Sequence, residues 1–147
     1  MKRPELLFLI FLFLLFGCNS SNVKYAEIDF SKSHQYTFVM KDNAMIKLAE
    51  GILIVTDVKD SVISGTYNFS KVYNENFSGF NTMKGNFSGY RNATGDRVFL
   101  NMNPKISDNN IFVTLYKTQK SFYGEWTHST ITGKGSGGNF WVYELAE

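Results

Sequence analysis

Apolar and polar residues alternate with a period of two through most of the chain, the pattern of strands that turn one face to a core. Ile63, Gly65, Tyr67 and Phe69 alternate with Ser64, Thr66 and Asn68. Met83, Gly85, Phe87 and Gly89 share a face across 82–90, and Val98, Leu100 and Met102 share the next. Ile111, Val113 and Leu115 alternate with Phe112, Thr114 and Tyr116, and Phe122, Gly124 and Trp126 follow on one face. The last run, 140–145, has Trp141, Tyr143 and Leu145 on one side and Phe140 and Val142 on the other. Earlier in the chain, 25–30, 36–40 and 52–58 read as strands. Residues 44–50 fit a short helix stopped by Gly51, or a strand; the strand reading makes Glu50-Gly51 the turn of a hairpin with 52–58. Turn chemistry falls at 42–43, 59–60 and 92–96, and a Gly/Ser/Thr loop spans 129–138. No long amphipathic helix is predicted. The pattern predicts an all-β fold, an antiparallel meander of about eight strands forming a small barrel or a sandwich.

One unit recurs. A glycine is followed two residues later by an aromatic at Gly65/Tyr67, Gly85/Phe87 and Gly124/Trp126. Gly85 lies 20 residues after Gly65, and Gly124 lies 39 after Gly85, close to one and two hairpin-sized steps. Each glycine shares a strand face with its aromatic. Glycine inside a strand marks a bend or a close approach, and a ring from the next strand can cover the gap. These units predict a strongly curved sheet. As packing positions they fill the core; as ligand contacts Tyr67, Phe87 and Trp126, with Met83, would line a cavity.

The start of the chain has a different character. Lys2 and Arg3 precede an unbroken apolar run of 11 residues, 6–16, too short to span comfortably as a permanent helix. It has the proportions of a signal-peptide core, and Leu15-Phe16-Gly17-Cys18 follows it. This resembles the lipobox of bacterial lipoproteins, with Leu15 at −3, Gly17 at −1 and Cys18 at +1; Phe16 is bulkier than the usual residue at −2. The resemblance implies cleavage before Cys18 and lipidation of its sulfur and new amino terminus. Two or three acyl chains anchor durably where one does not. The expected organisation is a signal peptide over 1–17, a lipidated tether over 18–24 and a β domain over 25–147. Asn19 after the cysteine is similar to the pattern that sends enteric lipoproteins to the outer membrane, facing the periplasm.

Composition narrows the function. The chain has 147 residues, a net charge of only +2 and 16% aromatics. That leaves no strong overall field to draw nucleic acid or a membrane surface. Cys18 is the single cysteine, so no internal disulfide can form. His34 and His128 are far apart, and no zinc-ligand spacing accompanies them. Both are expected on the surface or at a rim. Asn101, Asn103, Asp108, Asn109 and Asn110 could offer oxygens to calcium, but EF-hand spacing is absent and Asx turns explain them more simply. Acidic residues are scattered singly, and no Gly-x-Ser-x-Gly elbow occurs. The glycine run over 133–138 lacks Walker spacing.

From Gly51 onward the chain is similar to small envelope lipoproteins of uncharacterised function. The likeness is carried by Ser64-Gly65-Thr66-Tyr67, Asn101-Met102-Asn103-Pro104, Gly124-Glu125-Trp126 and Gly138-Asn139-Phe140. It implies a β fold at the envelope. The glycine–aromatic units also resemble those of lipocalin-like and avidin-like barrels. The expectation is a membrane-anchored, non-enzymatic envelope lipoprotein that needs no cofactor or metal and acts as a protein-binding or accessory module. The alternative is a carrier of a small apolar ligand in a barrel cavity.

Overall fold

Eight strands form, each closing on its sequence neighbours, in a computed structural model that describes residues 30–31, 34–74, 83–105, 108, 110–131 and 135–144. They are β1 (His34–Asp42), β2 (Lys47–Lys59), β3 (Val62–Val72), β4 (Lys84–Arg91), β5 (Arg97–Asn101), β6 (Asn110–Lys117), β7 (Phe122–Ser129) and β8 (Gly137–Tyr143). Every pairing is antiparallel, and β8 returns to β1 with Phe38 opposite Val142. The sheet is a closed barrel in simple meander order. Of the two predicted architectures, this is the barrel. The signal segment, Cys18, the tether and residues 25–29 of the expected first strand lie outside the described residues.

The period-two pattern becomes an inside and an outside. Ile63, Tyr67 and Phe69 on β3 point inward and are buried, as are Val98 and Leu100 on β5, Ile111, Val113 and Leu115 on β6, and Phe140 and Val142 on β8. Rings fill the interior. Phe38 lies 5.0 Å from Phe69, edge to face, and 5.1 Å from Phe140, stacked. Phe30 is in a turn rather than a strand, yet its ring is buried. It stacks 4.7 Å from Tyr36 and meets Phe122 edge-on at 5.0 Å, which closes the end of the barrel where β1 begins. Burying such a ring favours the folded state by about 2 kcal/mol before the ordering cost.

One predicted turn is absent. Glu50-Gly51 does not reverse the chain but sits inside the continuous strand β2. The pairing with β3 slips there, Glu50 opposite Lys71 and Gly51 opposite Phe69, which makes a bulge. A second slip between Met40 and Lys41 leaves Leu48 and Ala49 both buried, so the local apolar pattern loses its alternation. The true β1–β2 turn is earlier. Asp42 N–H donates to Ile46 O at 3.0 Å, Met45 N–H donates to Asp42 O at 3.0 Å, and Ile46 N–H donates to Asp42 Oδ1 at 2.8 Å. The β4–β5 turn is where the sequence puts it: Asn92 Nδ2 donates to Thr94 Oγ1 and to Asp96 Oδ1, and Gly95 takes φ 71°.

Candidate functional site: a filled interior and an aromatic outer face

The recurring glycine–aromatic units pair with each other. Gly65 on β3 is opposite Phe87 on β4, and Tyr67 is opposite Gly85. A methyl group on Gly65 would come within 2.8 Å of the Phe87 ring, and one on Gly85 within 2.8 Å of the Tyr67 hydroxyl oxygen. Each ring therefore lies over the other strand's glycine. The third unit repeats the arrangement with a fourth: Gly124 is opposite Phe140, and Trp126 is opposite Gly138. The Trp126 indole donates from Nε1 to the Lys41 carbonyl at 2.9 Å. A methyl group on Gly138 would strike that same carbonyl. The two hairpins, β3–β4 and β7–β8, thus share a register of glycines opposite aromatics, but at Gly124 and Gly138 the atoms nearest such a methyl group belong to the main chains of β6 and β1.

Tyr67, Phe87 and Trp126 are all buried, as core positions are. Met83 does not join them. It stands at the rim just before β4, 47% exposed, where its carbonyl accepts from Phe69 N–H at 2.7 Å. A depression of about 470 Å³ beside the two strands is lined by Thr66, Tyr67, Asn68, Lys84, Gly85 and Asn86.

His128 lies inside the barrel rather than on its surface. It continues the inward phase of Phe122, Gly124 and Trp126 and is only 7% exposed. Burial holds its imidazole below the ordinary range, against an opposing pull from Asp108. Asp108 also accepts from Ile131 N–H at 2.7 Å. The neighbouring asparagines serve the backbone and one another. Asn101 Oδ1 accepts from Asn103 N–H at 3.0 Å and from Asn110 Nδ2 at 2.7 Å, and Asn110 Nδ2 also donates to Asn103 O at 3.1 Å. These are Asx-type links across the β5–β6 connection, so the Asn101 oxygen is already engaged; Asn109 lies outside the described residues. Among the described residues, no group of three or more His, Cys, Asp or Glu is placed to hold a metal. A neutral buried imidazole with one carboxylate nearby supplies, by itself, neither a ligand set nor a nucleophile–base pair.

The outer face carries what the sequence pattern hid. Tyr90, opposite Phe99, stacks on it at 5.2 Å, and Phe99 stacks on Phe112 at 6.0 Å. A second row crosses more strands. Arg97 is opposite Tyr116, Tyr116 opposite Tyr123, Tyr123 opposite Trp141, and Trp141 opposite Val39. The Tyr123 and Trp141 rings are 4.9 Å apart, and Tyr123 Oη donates to Asn139 Oδ1 at 2.7 Å. Cations sit on these rings: Lys41 Nζ is 4.6 Å from the Trp141 ring, and the Arg97 guanidinium 5.4 Å from that of Tyr116. Tyr90 is 56% and Tyr116 50% exposed. Where this row meets the end of β8, Lys120, Ser121, Trp141 and Tyr143 line a depression of about 240 Å³. The sequence did hold a signal for this face: Phe112 and Tyr116 occupy the polar phase of their strand.

Comparison with protein families, with curated proteins and with solved structures finds no match to this chain.

Proposed function

We propose that the chain is a membrane-anchored, non-enzymatic envelope lipoprotein that binds a partner protein through the outside of its barrel. The observation that supports this is the division of its aromatics. The interior rings pack on one another and on glycines, whereas Tyr90, Tyr116, Tyr123 and Trp141 spread over neighbouring strands outside, with Lys41 and Arg97 against them. Tyr, Trp and Arg are the residues that dominate protein-interface energetics. A closed barrel offers no strand edge for pairing, so a partner must meet faces or loops. The anchor belongs to the same reading: lipid on Cys18, in the outer membrane facing the periplasm, would hold the domain beside its partners.

The carrier reading asks Tyr67, Phe87 and Trp126 to give a ligand the space their rings occupy. Native mass spectrometry of the purified chain checks it, because a bound ligand adds mass that denaturation removes. For the protein-binding reading, a photo-cross-linking amino acid is placed at Tyr123 and, as a control on another face, at Thr56. In intact cells the Tyr123 position is expected to yield one discrete adduct and the Thr56 position none. Absence of an adduct from both positions, or equal labelling by both, counts against it.

A further inference from the structure

The meander places four connections at one end of the barrel: β1–β2, β3–β4, β5–β6 and β7–β8. Contacts among them tie this end together. Asn139 Nδ2 donates to Asp42 O at 3.3 Å, Lys47 Nζ donates to Tyr73 Oη at 3.4 Å, and Ile131 N–H donates to Asp108 Oδ1. Apolar side chains stand out from it. Ile131 is 83% exposed and Ile46 is 61% exposed, with Met45 and Met83 about half exposed on neighbouring connections. At the opposite end the turns over 60–61, 92–96 and 118–121 are polar. Two of them, Asn92–Asp96 and Thr118–Ser121, are knitted by their own side-chain hydrogen bonds.

Met45 has φ 66°, a left-handed conformation that apolar side chains rarely adopt. The three hydrogen bonds of the Asp42 turn hold it there and keep Met45 and Ile46 turned to solvent. A strained turn that exposes two apolar side chains points to a use for them. Charge indicates which use. Among the described residues, the acidic groups on this rim are engaged locally: Glu50 by Lys47 at 2.9 Å, Asp42 by Ile46 N–H, and Asp108 by Ile131 N–H. Lys71, Lys84 and Lys105 are exposed around the same rim, and the Tyr73 ring sits between Lys47, at 4.9 Å, and Lys71, at 4.6 Å. Apolar tips on separate loops, with a tyrosine and a collar of lysines behind them, suit a fluid interface, where apolar groups enter the acyl boundary and cations meet headgroups.

We infer that this rim, tipped by Met45, Ile46 and Ile131 and collared by Lys71, Lys84 and Lys105, docks on an anionic lipid surface. The inference rests on the proposed anchoring only for proximity. Phe30, packed into the far end of the barrel, lies 12 residues after Cys18 in the sequence, at most ~40 Å of chain. That exceeds the ~30 Å height of a strand such as β1, so an anchor joined at the far end can still deliver this rim to the bilayer.

The test uses the full chain with Cys18→Ser, so that a polarity-sensitive dye can be placed singly at Ile46→Cys, at Ile131→Cys or, as a control at the other end, at Thr94→Cys. Vesicles are phosphatidylcholine alone or phosphatidylcholine with phosphatidylglycerol. On the anionic vesicles the dye is expected to shift to the blue and lose its quenching by aqueous iodide at 46 and 131, and to do neither at 94. Each basic side chain near an anionic surface is worth about fivefold in affinity. Lys71→Gln with Lys84→Gln should therefore weaken vesicle binding roughly 25-fold, against little change on phosphatidylcholine. Dyes at 46 and 131 that stay as accessible to iodide as the dye at 94 overturn the inference and leave the rim to a protein partner. Flotation of the unsubstituted chain with cell membranes after a high-salt wash reads the anchor separately, so the two can fail independently.

Discussion

Replacing Gly124 by alanine adds one methyl group in the middle of β7, where the neighbouring backbone already stands. The new carbon would collide with the Thr114 carbonyl oxygen, 2.8 Å from its carbonyl carbon and 2.9 Å from Leu115 Cα. All three atoms belong to the main chain of β6, so no rotamer change relieves the clash; the two strands must separate or β7 must straighten. Overpacking by a methyl group usually costs 1–3 kcal/mol, and a backbone obstacle sets this case at the upper end, about 3 kcal/mol. A domain of this size loses about 4 °C per kcal/mol, so Tm should fall by roughly 12 °C. Gly85→Ala is the control. The three atoms nearest its methyl group would all belong to the Tyr67 side chain, at 2.8–3.0 Å, and a side chain can tilt, so the expected loss is about 1 kcal/mol, or ~4 °C. The closest atom there is the Tyr67 hydroxyl oxygen, so Tyr67→Phe should lessen the effect of Gly85→Ala, seen as non-additivity in a double-mutant cycle. Thermal unfolding followed by near-ultraviolet circular dichroism reads all four variants. If Gly124→Ala unfolds at the wild-type temperature, or Gly85→Ala proves the costlier change, the close approach of β6 and β7 is not what bends this sheet.

Other consequences are simpler to state. Burial lowers the His128 pKa below its ordinary 6.5; the folded chain keeps the imidazole neutral while the unfolded chain binds a proton near that value. Stability should thus be complete above about pH 6.5 and fall as the pH drops toward the lower folded pKa, and His128→Phe should flatten that slope in Tm measured from pH 8 to 5. Trp126→Phe removes the donor to the Lys41 carbonyl and leaves a void, and should cost about 2–4 kcal/mol by urea denaturation. Cys18→Ser should let a high-salt wash release the protein from cell membranes with its Tm unchanged; retention of Cys18→Ser through that wash would refute lipid anchoring through that residue.

The alternation of side chains was legible because a closed meander gives every strand one inside and one outside. Val98, Leu100, Ile111, Val113 and Leu115 needed only that rule. The bulge at Glu50-Gly51 was not legible. A residue pair with glycine looks the same whether it reverses a strand or slips its register, and only the partner strand decides. Phe30 closes the barrel from a turn, where periodicity has nothing to say. His128 read as a rim residue because burial at a strand end depends on the loop that covers it, and the Asp108 connection lies 20 residues earlier.

The outer aromatics escaped for a related reason. A period-two reading assigns Phe112, Tyr116 and Tyr123 to the polar phase, where a single aromatic is unremarkable. Their meaning lies in the cross-strand register, which puts Tyr116, Tyr123 and Trp141 in one row. Closure sharpens the consequence. An open sheet could recruit a partner along its edge, but here β8 returns to β1 and every strand has two neighbours. One end is stopped by Phe30, and rings fill the interior. On the proposed reading, recognition is left with side chains on the wall and at the opposite rim, where apolar groups and cations stand exposed together among the described residues. The wall presents flat rings in register, suited to a partner of fixed shape. The rim presents separate tips on three connections, β1–β2, β3–β4 and β7–β8, suited to a surface that has no fixed shape at all.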